Sequence, residues 1–513
     1  MQRDGANTSL WQHQVEDYPS RQGSLDGQQF DVIIVGGGVT GITTALQLQK
    51  AGKKVLVAES HHLCFGTTGG TTAHLNSFLD KSYDDIEKDF GEDAAQLVVS
   101  ATGKALELYR SNIEEYQIDC DYRQKDGYLY AVTDEQSEKL DSIFEASVRA
   151  GVEVVRSERI PVPVEFKKAI VYREQAQVHP AKYVYGLAKA FEAAGGVIMQ
   201  NCHVNDVVES DEMVVADTSL GPVKGTYLIY ATHIPPGINL LHFRCAPYRS
   251  YAIAVELKSG DYPDGLAYDM FDPYHYYRTH ETADKKYLVI GGEDHKTGHE
   301  KFTDSCFAQL EAHARSYFDV GTVAFRWSSQ FFEPADGLPY IGLLPGSTGN
   351  ILVATGYSGI GMICSHISAL LLTDLIMKKE NAYAALFNPN RVKPVAGFAN
   401  FVKENVDVVT EFFEKRLEAE KIEGLNELAP GEARVVRYEG KKLAVYKDPQ
   451  GKVYAVNPVC THAKCVVSWN GSEKSWDCPC HGARYDLDGK VLTGPARKGL
   501  EPVSIDVFHK HST

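Results

Sequence analysis

Four residues near the C-terminus constrain the fold more than any other feature of this chain: Cys460 and His462, then Cys478 and His481. They sit in two loops, CTHAKC and CPCHG, separated by a short hydrophilic stretch that reads as a hairpin. Each loop offers one thiolate and one imidazole, two or three positions apart. That mixture suits a two-iron, two-sulfide cluster in which two cysteines hold one iron and two histidines the other. A structural zinc site also uses Cys and His, but as Cys-x2–4-Cys and His-x3–5-His pairs, a spacing these loops do not follow.

The surrounding sequence, from Gly431 onward, changes to short β patterns with turns at DPQG (Asp448 to Gly451) and DLDG (Asp486 to Gly489). With the two loops, residues from about Gly431 to Val507 resemble a Rieske domain. The resemblance implies a [2Fe-2S] cluster held by Cys460, His462, Cys478 and His481. It also implies a disulfide between Cys465 and Cys480 clamping the loops, with two free thiols as the alternative. High-potential members donate a serine and a tyrosine hydroxyl to the cluster. Here Tyr485 matches the tyrosine, but Ala483 stands where the serine would be. We therefore expect a potential below the top of the Rieske range of about −150 to +300 mV. Gly494-Pro495-Ala496 resembles the proline loop that covers the cluster in this family; a plain turn is the alternative.

The other end of the chain is as readable. The β-branched run DVIIV, Asp31 to Val35, is a buried strand that runs into GGGVTG, so Gly36, Gly38 and Gly41 form Gly-x-Gly-x-x-Gly. An amphipathic helix follows, and a second strand, KVLVAES, carries Glu59. The first glycine permits the tight turn, the second lets backbone approach a pyrophosphate at the helix N-terminus, and the third lets helix pack on strand. Glu59 is placed to accept from ribose hydroxyls.

A Gly/Thr-rich loop, HHLCFGTTGGTTAHLNS, comes next. Much later the strand NILVATG leads into Gly-Tyr-Ser-Gly-Ile-Gly and an apolar helix. Together with VHP at Val178 to Pro180 and YLIYATH, these marks make residues from about Phe30 to Lys379 resemble the D-amino-acid-oxidase type of FAD-dependent oxidoreductase. The resemblance implies FAD held by Gly36, Gly38, Gly41, Glu59, Thr71, Thr72, His74, Gly356, Ser358, Gly359 and Gly361. It implies oxidation of a C–N bond, with hydride passing to FAD from the carbon next to nitrogen. The expected fold is an α/β FAD-binding Rossmann-type domain with an interleaved α+β substrate domain, followed by a small all-β Rieske domain.

With 513 residues the chain exceeds one core. We expect a flexible N-terminal segment over 1–29, the flavoenzyme over 30–385 with its substrate layer at roughly 80–175 and 245–330, a helical linker over 386–430, and the Rieske domain over 431–513. The linker shows a helical stripe: Phe398, Phe401, Val402, Val406, Val409, Phe413 and Leu417. A formal charge of −16 argues against nucleic acid and anionic membrane surfaces as partners. The first 29 residues are polar, so no secretory signal is expected, and the apolar stretch Ile360 to Met377 holds Ser365, His366, Ser368 and Asp374, as a core helix would rather than a membrane span. A cytoplasmic location follows from the scattered cysteines outside the cluster loops.

Fusing a hydride acceptor to a one-electron carrier suggests a path from a small amine or amino-acid substrate through FAD and the cluster to an external one-electron acceptor. No essential acid–base residue is expected, because the amine need only be neutral and burial achieves that. Three candidates face substrate: Arg278, for a carboxylate, His295 in GGEDHKTG, and Tyr340 in LPYIG. Alternating tyrosines around Arg278 are also what one face of a strand would show. Rival readings are a Rieske oxygenase, an NADH-dependent reductase, an oxygen-using amine oxidase, and a redox module with no dedicated substrate. The first lacks a second iron site and the second lacks a mid-chain glycine fingerprint.

Overall fold

The strand Gln29–Val35 forms the middle of the first sheet in a computed structural model that describes residues 3–391 and 419–504. It pairs in parallel with Val55–Ala58 on one side and Val223–Tyr230 on the other. Val197–Met199 extends one edge; Ile351–Thr355 and Tyr340–Leu343 extend the other. Alternation divides the strand's side chains between two cores. Val32 and Ile34 pack among the helices Val39–Lys50, Pro180–Ala193 and Gly361–Ile376, while Ile33 and Val35 pack with residues of the strands Val204–Glu209 and Val214–Thr218. A strand buried on both faces reads as a continuous apolar run, as DVIIV does.

The helix Gly361–Ile376 is a core helix. His366 is fully buried and its Nε2 shares a 2.7 Å hydrogen bond with Tyr183 Oη, and Ser368 Oγ meets Tyr357 Oη at 2.6 Å. Among the described residues no helix is long and apolar enough to cross a membrane.

A second, nine-stranded sheet draws its strands from two stretches of chain. Val320–Pro334, Cys245–Leu257, Lys286–Lys296, Tyr276–Glu281 and Leu266–Tyr268 come from the later stretch. Arg123–Ala131 and Lys168–Gln177 come from the earlier one and are joined through a parallel contact between Leu266–Tyr268 and Arg123–Ala131. The C-terminal unit is all β, with two four-stranded sheets. Its DPQG and DLDG turns form, with Gly451 at φ 87° and Gly489 at φ 82°, in the left-handed region that favours glycine. The stripe Phe398 to Leu417 expected to form the connecting helix lies outside the described residues.

The start of the N-terminal segment, expected to be a flexible lead-in, is packed against the rest of the protein. Leu10 and Trp11 are fully buried on a short helix, Leu10–His13. Trp11 Nε1 donates to Thr71 O (2.5 Å), Ser9 Oγ to Gly69 O (2.5 Å) and Gln12 Nε2 to Cys64 O (3.0 Å). These three side chains find partners on the Gly/Thr loop, so the short helix packs there with its polar atoms bonded, while most of residues 16–29 stay exposed.

Candidate cofactor cavity and cluster loops

At the C-terminal end of Gln29–Val35 the chain turns at Gly36, φ 111°, where a Cβ would stand 2.5 Å from Ala231 O. A Cβ on Gly41 would stand 1.9 Å from Gly36 O, so the helix can lie this close to the turn only with glycine there. Glu59, just beyond the next strand, accepts from Gly37 N at 2.6 Å and from His61 N at 2.8 Å. These residues open onto a cavity of about 640 Å³. Gly36, Gly38, Glu59, Thr71, Thr72, His74, Ser358, Gly359 and Gly361 all line it. Gly41 and Gly356 lie behind the lining, as turn and packing residues, with Gly356 at φ 71°, where a Cβ would stand 3.3 Å from Cys245 Sγ. The helix Gly361–Ile376 begins at the cavity wall and presents its positive N-terminal end there. A glycine-walled, helix-headed cavity of this volume fits a dinucleotide.

Away from the glycine turn, the cavity is lined by Tyr268, Tyr274 and Tyr276 and by carboxylates that include Asp80 and Asp294. Asp80 accepts from Gly359 N at 2.5 Å, and its open surface faces the cavity. Burial raises its carboxyl to about 6, less the effect of that N–H. Burial also raises Asp294 to about 7, helped by the charge of Asp80; its Oδ1 is buried without a partner. Sequence reading missed both, since nothing in the local sequence distinguishes them from surface acids.

The three residues expected to face substrate are placed elsewhere. His295 follows Asp294 on the strand Lys286–Lys296, so the pleat sends it to the opposite face. There its Nδ1 donates to Lys296 O (3.1 Å) and its Nε2 accepts from Tyr251 Oη (3.1 Å). Arg278 is fully buried beneath the cavity wall; its Nη1 donates to Thr72 O, Ala73 O and Val178 O at 2.8, 3.0 and 3.1 Å. It therefore holds the Thr72–Ala73 turn rather than a substrate carboxylate, and burial pulls its pKa down to about 9. Tyr340 is buried in the second core of the first sheet, with the Arg391 guanidinium 4.0 Å from its ring centroid, and does not reach the cavity.

In the C-terminal unit the two loops meet. Cys460 and Cys478 are buried, and Tyr485 Oη lies 3.1 Å from Cys460 Sγ. The neighbouring Cys478 thiol and the Tyr485 hydroxyl draw the Cys460 thiol below its usual range, towards thiolate. The His462 and His481 rings are 5.0 Å apart. Burial lowers both imidazoles, His481 to about 3, which keeps them neutral as metal binding requires. His462 Nε2 donates to Gly237 O at 3.0 Å, which leaves the lone pair on Nδ1. That Nδ1 and both His481 nitrogens are buried with no hydrogen-bond partner. Two facing thiols and orphaned imidazole nitrogens fit a cluster held by two cysteines and two histidines. Cys465 and Cys480 form a disulfide beside them, Cα–Cα 6.5 Å. Ala483 is buried and has no hydroxyl to offer.

The histidine edge of this site is turned into the rest of the protein. Gly237 bridges the units, taking the His462 N–H on its carbonyl and giving its own N–H to Pro495 O (2.9 Å). The His242 ring stands 4.7 Å from that of His462 and 5.9 Å from that of His481. Pro236, next to Gly237, lines the large cavity, as do Thr493, Gly494, Ala496 and Arg497 of the C-terminal unit. One cavity thus touches both units.

A buried ionic network locks this arrangement. Arg3 and Asp4 from the N-terminal segment, Arg249 from the second sheet, and Glu473, Asp477 and Arg484 from the C-terminal unit all have side chains at most 2% exposed. Three guanidiniums face three carboxylates. Burial alone would raise Asp4 and Asp477, but the arginines outweigh it and hold both below the usual carboxylate range. Gln330 Nε2 donates to Gly482 O (2.9 Å), and a Cβ on Gly298 would touch Pro479 at 3.0 Å, so the CPCHG loop also packs tightly on the second sheet.

Comparison with known proteins agrees with both halves. Residues 31–375 match the FAD dependent oxidoreductase family and residues 420–504 the Rieske [2Fe-2S] domain family. The Rieske 2Fe-2S iron-sulfur protein YhfW of Bacillus subtilis is 33% identical over 492 residues, 96% of each chain. Gamma-glutamylputrescine oxidoreductase of Escherichia coli is 28% identical over 373 residues, 70% of this chain and 86% of that one. The crystal structure of glycine oxidase from Geobacillus kaustophilus superimposes with a TM-score of 0.59 at 20% identity, covering 71% of this chain and 99% of that one, which establishes a shared fold.

Proposed function

The chain belongs to the FAD-dependent oxidoreductase family and carries a Rieske [2Fe-2S] domain, and we propose that it is a dehydrogenase that oxidises the C–N bond of an amine or amino acid and delivers the electrons through its cluster to an external one-electron acceptor. Its cofactors are FAD and a [2Fe-2S] cluster. When bound, FAD accepts hydride and the cluster carries single electrons. On this reading Gly36, Gly38, Glu59, Thr71, Thr72, Ser358, Gly359 and Gly361 hold the dinucleotide, and Cys460, His462, Cys478 and His481 hold the iron.

The observation that carries the proposal is Gly237. It lies beside a residue of the large cavity and accepts the N–H of a cluster histidine, so the two cofactor sites share a wall. A Rieske unit built to meet only outside partners would keep its histidine edge free.

The tyrosine-lined end favours an amine cation over an amino carboxylate. Asp80 and Asp294 line it, and the lysine and arginine that line the cavity among the described residues are Lys139, held by Asp84 (2.7 Å) and Asp85 (2.9 Å), and Arg497 of the C-terminal unit. Against the expectation that no acid–base residue is needed, the Asp294 carboxyl, raised to about 7, can bind an ammonium and take its proton, giving the neutral amine that C–N oxidation needs. Gamma-glutamylputrescine oxidoreductase is named for a substrate that contains an amine.

Anaerobic mixing with a panel of amines and amino acids tests the reading, with flavin and cluster absorbance followed together. An amine should bleach both. In His481→Ala the flavin should still bleach while reduction of a one-electron acceptor stops. Undiminished acceptor reduction by that variant would refute the route.

A further inference from the structure

We propose that the segment Val491–Arg497 of the Rieske domain forms one wall of the FAD site, and that Arg497 binds the adenosine-diphosphate half of the dinucleotide. This rests on reading the glycine-motif cavity as the FAD site.

Val491, Leu492, Thr493, Gly494, Ala496 and Arg497 line the same cavity as Gly36, Gly38 and Glu59. Arg497 lies near the Glu59 corner: a Cβ on Gly237 would stand 3.2 Å from its Nε, and His203, another lining residue, feels both Glu59 and Arg497. By the logic of the glycine motif, an acid in that position serves the adenosine ribose.

Charge makes the case specific. FAD carries an anionic diphosphate, and the chain itself has a formal charge of −16. The lining histidines are kept neutral: burial lowers His61, His74 and His203, and lowers His233 to about 4. Lys139 is committed to two aspartates. Arg497 is bonded to a single carboxylate, Asp206, whose side chain is 63% exposed, so that pair holds it weakly. Its Nε is buried without a partner, a donor awaiting an acceptor. A planar guanidinium is well suited to phosphate oxygens.

A ligand contacted by both domains must favour their docking, and docking must favour the ligand to the same degree. FAD binding and Rieske docking are then one coupled equilibrium.

The test uses the full-length, cluster-loaded protein stripped of flavin. FAD is titrated by its fluorescence quench, and the cluster's visible circular dichroism is followed on heating with and without FAD. Arg497→Gln should weaken FAD about tenfold, roughly 1.4 kcal/mol, and shrink the thermal protection that FAD gives the cluster signal. Asp206→Asn should leave FAD affinity within about twofold, because it frees the guanidinium without removing it. An unchanged affinity in Arg497→Gln overturns the proposal. So does an equal loss in Asp206→Asn, which would make Arg497 a strut between sheets. If the unsubstituted protein takes up no FAD, the reading of the cavity itself fails.

Discussion

Removing one charge from the ionic network at the domain junction should loosen the Rieske unit. In Glu473→Gln the volume is kept and the charge lost. The carboxylate accepts from Ala6 N (2.8 Å), Ser328 N (3.0 Å) and Ser328 Oγ (2.5 Å), and stands 3.3 Å from Arg3 Nη1 and 4.0 Å from Arg249 Nη1. An amide oxygen can keep some of these bonds. It cannot balance the guanidiniums: three arginines would face two carboxylates, with every side chain at most 2% exposed. Breaking a buried pair by removing one partner costs about 3–5 kcal/mol; with the amide retaining hydrogen bonds, about 3 kcal/mol is expected. Arg249→Met in the same background removes the excess charge, so the double variant should be less damaged than the sum by about 1–3 kcal/mol. Urea unfolding followed separately by the cluster's circular dichroism and by flavin fluorescence measures both. A loss under about 0.5 kcal/mol in the single variant, or strict additivity in the double, would refute the view that these charges hold the units together.

Three further outcomes are expected. Tyr485→Phe removes the hydroxyl 3.1 Å from Cys460 Sγ and should make the cluster potential more negative, as read by voltammetry; a shift the other way would show that the hydroxyl does not stabilise the reduced state. Trp11→Ala empties a fully buried site and should cost about 3–5 kcal/mol, with faster proteolysis of the N-terminal segment and weaker FAD retention, since Thr71 loses its tether. His275 is raised from 6.5 to about 9: burial pushes it down, but its hydrogen bond to Asp269 and the nearby Glu293 carboxylate win. A raised folded value means that this contribution, about 3 kcal/mol, is complete below pH 6.5 and disappears as pH rises through about 9. His275→Gln should flatten that decline in a pH series of denaturation midpoints.

The two cofactor motifs were legible because their chemistry dictates residue type and spacing together. A pyrophosphate turn needs glycine at Gly36 and Gly41, where a Cβ meets backbone, and a mixed-ligand cluster needs Cys and His in adjacent loops. Substrate-facing residues carry no such local rule. Asp294 and His295 are neighbours, and strand register alone sends one to the cavity and the other to Tyr251. Arg278 reads as a ligand for carboxylates until the fold places three backbone carbonyls on its Nη1. The N-terminal segment misled for a related reason. Arg3 and Asp4 look like solvent-facing residues, and partners more than 300 positions away help to bury them. Asp80 and Gly237 had no signal at all, since their roles come from loops that meet only in three dimensions.

The bond between His462 and Gly237 has a kinetic corollary. A mobile redox head must swing or collide to pass its charge on, and such traffic slows in a thick solvent. Here the two stations are moored, so on the proposed route relay between them should proceed at the same pace in glycerol as in buffer. Only the last leg, hand-off to an outside carrier, should respond to the medium. On that route an outside carrier would approach by a side other than the imidazole rim, where His462 is already engaged by Gly237.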